Sequence, residues 1–163
     1  MYLQKVAALA LLPLVLALPS PRQSTAGTIV SPADGAVIAP GAAFDFQYQT
    51  MADYGVSSYN YTVWLLTSVP TSFAQSNNFA EGHYLGRFAE PNYPGNPNPS
   101  NLPPAQLVMP DFSKNPGGFG LGESESNGNF VLAVLEEYAT GFGAVGSRFN
   151  LAMNRITYNS TSD

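Results

Sequence analysis

The chain has 163 residues, of which 45% are hydrophobic and only 10% are charged. This composition excludes a disordered polyelectrolyte, because such chains carry too few apolar residues to form a core. The formal net charge of -5 disfavours nucleic acid and acidic membrane surfaces as partners, since their phosphates repel an acidic protein. A chain of this length usually forms one core, so we expect a single domain after any leader.

The N-terminal segment has the pattern of a secretory signal peptide. A short basic start at residues 1–5 precedes the apolar run VAALALLPLVLAL at residues 6–18. This run is shorter than the roughly 20 apolar residues that span a membrane. Ala17, Ser20 and Ala26 are small residues near possible cleavage points, and we favour cleavage near Ser20. The expected organisation is a signal peptide at residues 1–20 and one secreted, extracellular domain at residues 21–163.

Two sequons for N-glycosylation agree with export. NYT at Asn60 and NST at Asn159 match Asn-X-Ser/Thr, so both asparagines are predicted glycosylation sites. The chain has no cysteine, which excludes disulfide bonds. The domain is therefore expected to be held together by burial of apolar side chains alone.

The first half of the mature chain has the pattern of short strands separated by turns, with no helical period over three turns. Strands are predicted at residues 28–30, 37–38, 44–48 and 59–67. Within the third, Phe44, Phe46 and Tyr48 alternate with polar residues, which predicts that these aromatic rings lie in the core. In the fourth, Trp64 falls on the outer side if Asn60 faces solvent, unless a bulge reverses it.

The second half continues this pattern around two unusual loops. Strands are predicted at residues 84–89, 106–109, 130–138 and 148–158, the last with Phe149, Leu151 and Met153 on one side. A proline- and asparagine-rich loop occupies residues 90–104, and a glycine-rich loop occupies residues 113–128. The segment FVLAVLEEY at residues 130–138 is apolar on both faces at its start, as a central strand should be. About seven strands predict an all-β, immunoglobulin or fibronectin III-like sandwich of antiparallel strands.

Several phrases resemble known secreted proteins. The opening TIVSPADGAVIAPGAAFDFQYQ is similar to the start of exported fungal immunoglobulin-like domains, including cell-wall and surface proteins. The order YLGRF, a Pro/Asn loop, LVMPDF and NFVLAVLEEYATGFGAVGSRFNLAMNRITYN resembles the fungal necrosis-inducing secreted effector group. The resemblance implies that the protein acts outside the fungal cell and blunts host defence by protein binding. The absence of cysteine departs from that group, and no interaction residue is carried over.

The residues that could support catalysis are few. His83 is the only histidine, so a multi-histidine metal site cannot form, and we expect a solvent-facing histidine in a polar connector. Glu136 and Glu137 are adjacent on a predicted strand, so they point to opposite faces and cannot flank one glycosidic bond. We expect them to lie at the polar end of that strand. The sequence therefore predicts no cofactor, no metal and no enzymatic activity.

Binding is the function that the sequence favours. Trp64, Tyr54 and Tyr93 are possible ligand contacts, although a single tryptophan in a sandwich is more often core packing. The two long loops are expected to carry recognition on a rigid scaffold. The leading hypothesis is a secreted, non-catalytic fungal effector or surface protein that binds an extracellular protein. The alternative is a cell-wall module that binds polysaccharide, and an enzyme ranks third.

Overall fold

The computed structural model describes residues 27–53, 56–70, 82–90, 98–114, 124–140 and 147–161. Within these ranges all regular secondary structure is β-strand. The described residues therefore contain no helix long and apolar enough to cross a membrane. The strands are β1 (Thr28–Ser31), β2 (Ala36–Ile38), β3 (Ala43–Asp45), β4 (Gln47–Gln49), β5 (Ala52–Asp53), β6 (Val56–Leu66), β7 (Gly82–Ala89), β8 (Gln106–Val108), β9 (Asn127–Thr140) and β10 (Ser147–Asn159).

Six strands form one large sheet in the order β2-β10-β9-β6, with β5 and β7 both paired to β6. All its pairs are antiparallel except β2 and β10, which run parallel. The three long strands β6, β9 and β10 are adjacent and form the centre of the sheet. Residues 131–134 of β9 are buried on both faces, which confirms the prediction that this segment is a central strand.

A second layer consists of two small antiparallel sheets, β1-β4 and β3-β8. Strands β3 and β4 are separated only by Phe46, whose backbone nitrogen donates to the carbonyl of Ala105 at 2.9 Å. The two small sheets therefore lie along one nearly continuous segment, residues 43–49.

The main core lies between these layers. Strand alternation directs Tyr61, Val63 and Leu65 of the large sheet inward, where they share one cluster with Phe44 and Phe46 of the second layer. The cluster also contains Ile29, Ile38, Phe88, Leu107, Met109, Phe112, Phe130, Leu132, Val134, Ile156 and Tyr158. This arrangement is compatible with a β-sandwich.

The predicted aromatic row is confirmed as part of this core. Phe44 and Phe46 are buried, and Tyr48 is half-buried and packs against the same cluster. Its ring centroid lies 5.0 Å from that of Tyr61 on the opposing sheet. The aromatic rings of Phe44, Phe46 and Tyr48 therefore pack against the large sheet from the side of the two small sheets.

The described residues form ten strands, whereas eight segments were predicted as strands and about seven were expected in the sandwich. The predicted strand at residues 44–48 is divided at Phe46 into β3 and β4, and β5 is an additional two-residue strand. Strand β9 extends through Thr140 instead of leaving the core at Glu136. Short strands of this kind depend on their partners in the sheet, which local alternation does not specify.

The predicted loop at residues 90–104 is only partly described. Its residues 98–104 contain no strand, and Asn101 accepts a hydrogen bond from the backbone of Ala89 at 2.7 Å. The Asn101 side chain also donates to the carbonyl of Arg87. This part of the loop therefore lies beside β7 and covers one end of that edge strand.

Candidate functional site

The side of the large sheet that faces away from the core forms the candidate site, here called the outer face. Because side chains alternate along a strand, the neighbours of the inward residues in β6 and β9 point outward. Register across β7, β6, β9 and β10 places these residues in adjacent rows. The outer face comprises Asn60, Thr62, Trp64, Leu66, Tyr84, Arg87, Val131, Ala133, Leu135, Glu137, Phe149, Leu151 and Met153.

The central row crosses four strands as Tyr84, Trp64, Ala133 and Met153. The rings of Trp64 and Tyr84 meet edge to face, with centroids 5.1 Å apart and planes inclined by 62°. Ala133 is only 1% exposed, whereas Tyr84 is 51% exposed and Met153 is 37% exposed. The row therefore has a packed centre and accessible apolar ends.

A small cluster underlies this row. Leu66, Val131 and Ala133 are buried, and Trp64 and Leu151 pack against them. This cluster is separate from the main core because it lies on the opposite side of the sheet. Packing of this kind fixes the ring of Trp64 on a rigid base.

Charged and polar groups border the apolar rows. Arg87 of β7 forms an ion pair with Glu137 of β9, next to Phe149, which is 56% exposed. At the other end, Arg155 pairs with Asp34. Directly opposite Arg87 on β6, the Thr62 hydroxyl is buried and has no hydrogen-bond partner within the described part of the chain. The outer face thus has an apolar centre with a charged border.

The sequence-predicted ligand contacts are only partly described. Trp64 lies on the outer face, as alternation from Asn60 predicts, and is half-buried there instead of packing in the main core. Tyr54 and Tyr93 lie outside the described residues. Tyr84, Phe149 and Met153 were not singled out as ligand contacts, although alternation in their strands is the signal that places them beside Trp64.

The two sequons lie at different places on the sheet. Asn60 is half-buried on the outer face, two residues from Thr62 on the same side of β6. Asn159 ends β10, and its side-chain oxygen accepts hydrogen bonds from the Thr161 backbone nitrogen at 2.8 Å and hydroxyl at 2.6 Å. Their glycosylation stays a prediction.

The prediction for His83 was wrong. His83 belongs to β7, not to a polar connector, and it is half-buried with its ring edge-on to Phe112 at 5.7 Å. The register pairs it with Leu65, an inward residue. His83 therefore packs at the side of the core instead of facing solvent in a loop.

Glu136 and Glu137 do point to opposite faces, but Glu136 is not at a polar strand end. Its side chain is fully buried and accepts three hydrogen bonds, from the Gly27 nitrogen at 2.9 Å, the Tyr48 hydroxyl at 3.0 Å and the Met51 nitrogen at 2.6 Å. Burial, followed by the neighbouring Glu136 carboxylate, raises the pKa of Tyr48 well above 10.0, so the phenol stays a donor. This carboxylate joins the two layers of the sandwich.

The described side chains contain no group of three or more histidine, cysteine, aspartate or glutamate residues that could hold a metal ion. Comparison of the sequence with protein-family models gives no match, and a search of curated proteins likewise finds none. The outer face is therefore interpreted from its own chemistry.

Proposed function

We propose that this protein is a secreted, non-catalytic binding protein that recognises an extracellular protein partner through its outer face. The observation that carries the proposal is the exposure of Tyr84, Phe149 and Met153 on one rigid sheet face, beside the fixed ring of Trp64. An apolar surface with a charged border is typical of interaction sites on soluble proteins.

The residue types of the outer face favour a protein as the partner. Tyrosine, tryptophan, phenylalanine, methionine and arginine are enriched in the centres of protein interfaces, and aromatic residues and arginine dominate their binding energy. The complementary surface would be apolar at its centre, with charges that match the Arg87–Glu137 and Arg155–Asp34 pairs at its edge.

The order of strands supports an immunoglobulin-type sandwich. Strands β10, β9 and β6 are neighbours in the large sheet, as the strands named G, F and C are in immunoglobulin domains. Strand β7 extends this sheet beyond β6, as an additional strand does in the variable-type domains. Together with the predicted leader and the sequons, this order supports the resemblance to fungal secreted immunoglobulin-like proteins. The proposal is thus an effector-like or surface protein of the extracellular space.

Polysaccharide binding is the second candidate, because Trp64 and Tyr84 are adjacent aromatic rings on an exposed sheet. Their planes are inclined by 62°, so the two rings do not form one flat platform on which successive sugar rings could stack. This geometry favours a protein partner over a planar polysaccharide chain.

The test compares wild type with the double variant Trp64→Ala/Tyr84→Ala. Both proteins are applied to an array of immobilised extracellular protein ectodomains and to chitin, β-glucan and cellulose. We expect saturable binding to a protein that weakens by about 30-fold or more in the double variant, as loss of interface hot spots does.

Val108→Ala is the matched control, because Val108 is an exposed apolar residue on β8 of the other layer. Its binding should equal that of wild type. Protein binding that survives the double variant would contradict the proposal, and retention on a polysaccharide that is lost in the double variant would establish the alternative.

A further inference from the structure

The fully buried carboxylate of Glu136 lies against Gly27, the residue directly before β1. Its Oε2 atom accepts from the backbone nitrogen of Gly27 at 2.9 Å and from the Tyr48 hydroxyl at 3.0 Å. Among the described side chains, no lysine, arginine or histidine forms an ion pair with Glu136. A buried carboxylate is strongly stabilised by a positive charge within hydrogen-bond distance, and costly to bury without one.

Only glycine fits at residue 27 without displacing neighbouring side chains. A Cβ atom added there would lie 2.2 Å from the Tyr48 hydroxyl, 2.5 Å from Cζ of the same ring and 2.8 Å from Oε2 of Glu136. These distances are far below van der Waals contact, so any side chain at residue 27 would displace the carboxylate or the phenol. The absence of a side chain at residue 27 therefore lets its backbone nitrogen lie within hydrogen-bond distance of Glu136 while the Tyr48 hydroxyl binds the same oxygen.

The sequence before Gly27 has the pattern of a leader cleavage site. Ala26 and Ser24 are small residues at the two positions that signal-peptide processing requires to be small, directly before the Ala26–Gly27 bond. The apolar run ends at Leu18, so the segment from Pro19 to Ala26 would be the polar region between that run and the scissile bond. This agreement comes from the sequence and is independent of the Glu136 geometry.

We propose that the mature protein begins at Gly27 and that its terminal ammonium group is the counter-charge of Glu136. A leader peptidase adds water across the Ala26–Gly27 bond, leaving a carboxylate on Ala26 and an amine on Gly27 that takes up a proton. The nitrogen keeps its position and its hydrogen bond to Oε2, and gains a positive charge there. Removal of the leader thus converts a hydrogen bond donated by a neutral amide into a buried ion pair with the same carboxylate, which stabilises the contact of β1 and β4 with β9.

This inference rests on the proposed secretion, and it replaces the expected cleavage near Ser20. The first test is N-terminal sequencing and intact mass of the protein secreted from the full-length chain. Gly27 as the first residue is the expected result. A secreted protein that begins at any other residue would overturn the inference alone, whereas retention inside the cell with residues 1–26 attached would overturn the proposed secretion as well.

The second test asks whether the ammonium group is used. Ala26→Leu blocks cleavage after residue 26, so its secreted product keeps extra residues before Gly27, and Ala17→Leu is the matched control within the leader. We expect the melting temperature of the Ala26→Leu product to fall by about 5 °C, and that of the Ala17→Leu product to equal wild type.

Glu136→Gln separates the ion pair from a general effect of the extension. In that background, both products lack the negative charge, so the difference in melting temperature between them should close. A difference that stays the same in Glu136→Gln would overturn the inference, because the extension would then act elsewhere. If Glu136→Gln is not secreted in folded form, N-terminal sequencing of the wild-type protein still decides the cleavage site.

Discussion

At the scale of single residues, strand alternation gives two adjacent glutamates different roles. Glu136 points into the sandwich and accepts three hydrogen bonds, whereas Glu137 points to the outer face and pairs with Arg87. One position along β9 therefore separates a structural carboxylate from a surface charge. The pair could not act together on one bond, because the sheet lies between them.

Asp34 shows how a single exposed carboxylate links a turn to the large sheet. It accepts from the Arg155 guanidinium and from the Arg155 backbone nitrogen, the latter at 2.7 Å. These bonds lower the pKa of Asp34 from 3.8 to about 2. Since the folded-state pKa lies below the unfolded value, the stabilisation is present above roughly pH 4 and is lost as the pH falls towards 2.

The expected result for Asp34→Asn is a loss of stability at neutral pH that shrinks between about pH 4 and pH 2. Urea unfolding at a series of pH values measures it. Asp45→Asn is the control, because the Asp45 carboxylate accepts from the neutral amide of Gln106 at 2.9 Å. A difference between Asp34→Asn and wild type that is as large at pH 2 as at pH 7 would contradict this explanation.

At the scale of elements, a bulge in β7 positions the aromatic pair of the outer face. Val63 pairs with Gly86, but the next residue, Trp64, pairs with Tyr84, so Leu85 is an extra residue in β7. Without the bulge, Leu85 would stand opposite Trp64 and Tyr84 would face the core. One inserted residue therefore places Tyr84 beside Trp64 and turns His83 towards Phe112.

Gly86 should be required for this bulge. Its φ of +156° is one that side chains rarely adopt, and a Cβ there would lie 2.5 Å from Cζ of Phe88. We expect Gly86→Ala to lower the free energy of unfolding by about 1–3 kcal/mol, and Phe88→Leu to restore part of that loss in the double variant. Urea unfolding of the two single variants and the double variant measures the coupling.

Gly128→Ala is the control for a glycine in a strand. The added Cβ would lie 3.3 Å from Cγ of Glu125, an exposed and flexible side chain, so the change should stay within about 0.5 kcal/mol. A Gly86→Ala variant as stable as wild type, or one whose loss is unaffected by Phe88→Leu, would show that the Phe88 ring does not constrain the bulge.

At the scale of the whole molecule, alternation predicted which residues close the sandwich. It placed Phe44 and Phe46 in the core, and the run of apolar residues in β9 predicted a central strand. For Trp64 it gave the outer side only if Asn60 faces solvent, and core packing is the more frequent arrangement for a single tryptophan in a sandwich. These features are local, because each depends on residues within one strand. The all-β layout could therefore be predicted from the sequence.

Features that depend on distant residues were not predictable in this way. Glu136 is buried because donors from Gly27, Tyr48 and Met51 meet it, each more than 80 residues away along the chain. The prediction for His83 was wrong because the direction of its side chain follows from the bulge in β7. In the sequence, Gly86 is the residue that indicates this bulge. The outer face as a surface appears only when four strands are set in register.

Trp64 allows the most direct measurement of the central claim, that the outer face is the binding surface. It is the only tryptophan in the chain, so intrinsic fluorescence reports on this face alone. Titration with the ectodomain or polysaccharide captured by the wild-type protein should shift the Trp64 emission to shorter wavelength and protect it from acrylamide quenching, because binding removes water from the ring. Saturable binding that leaves both the emission and the quenching of Trp64 unchanged would contradict the account.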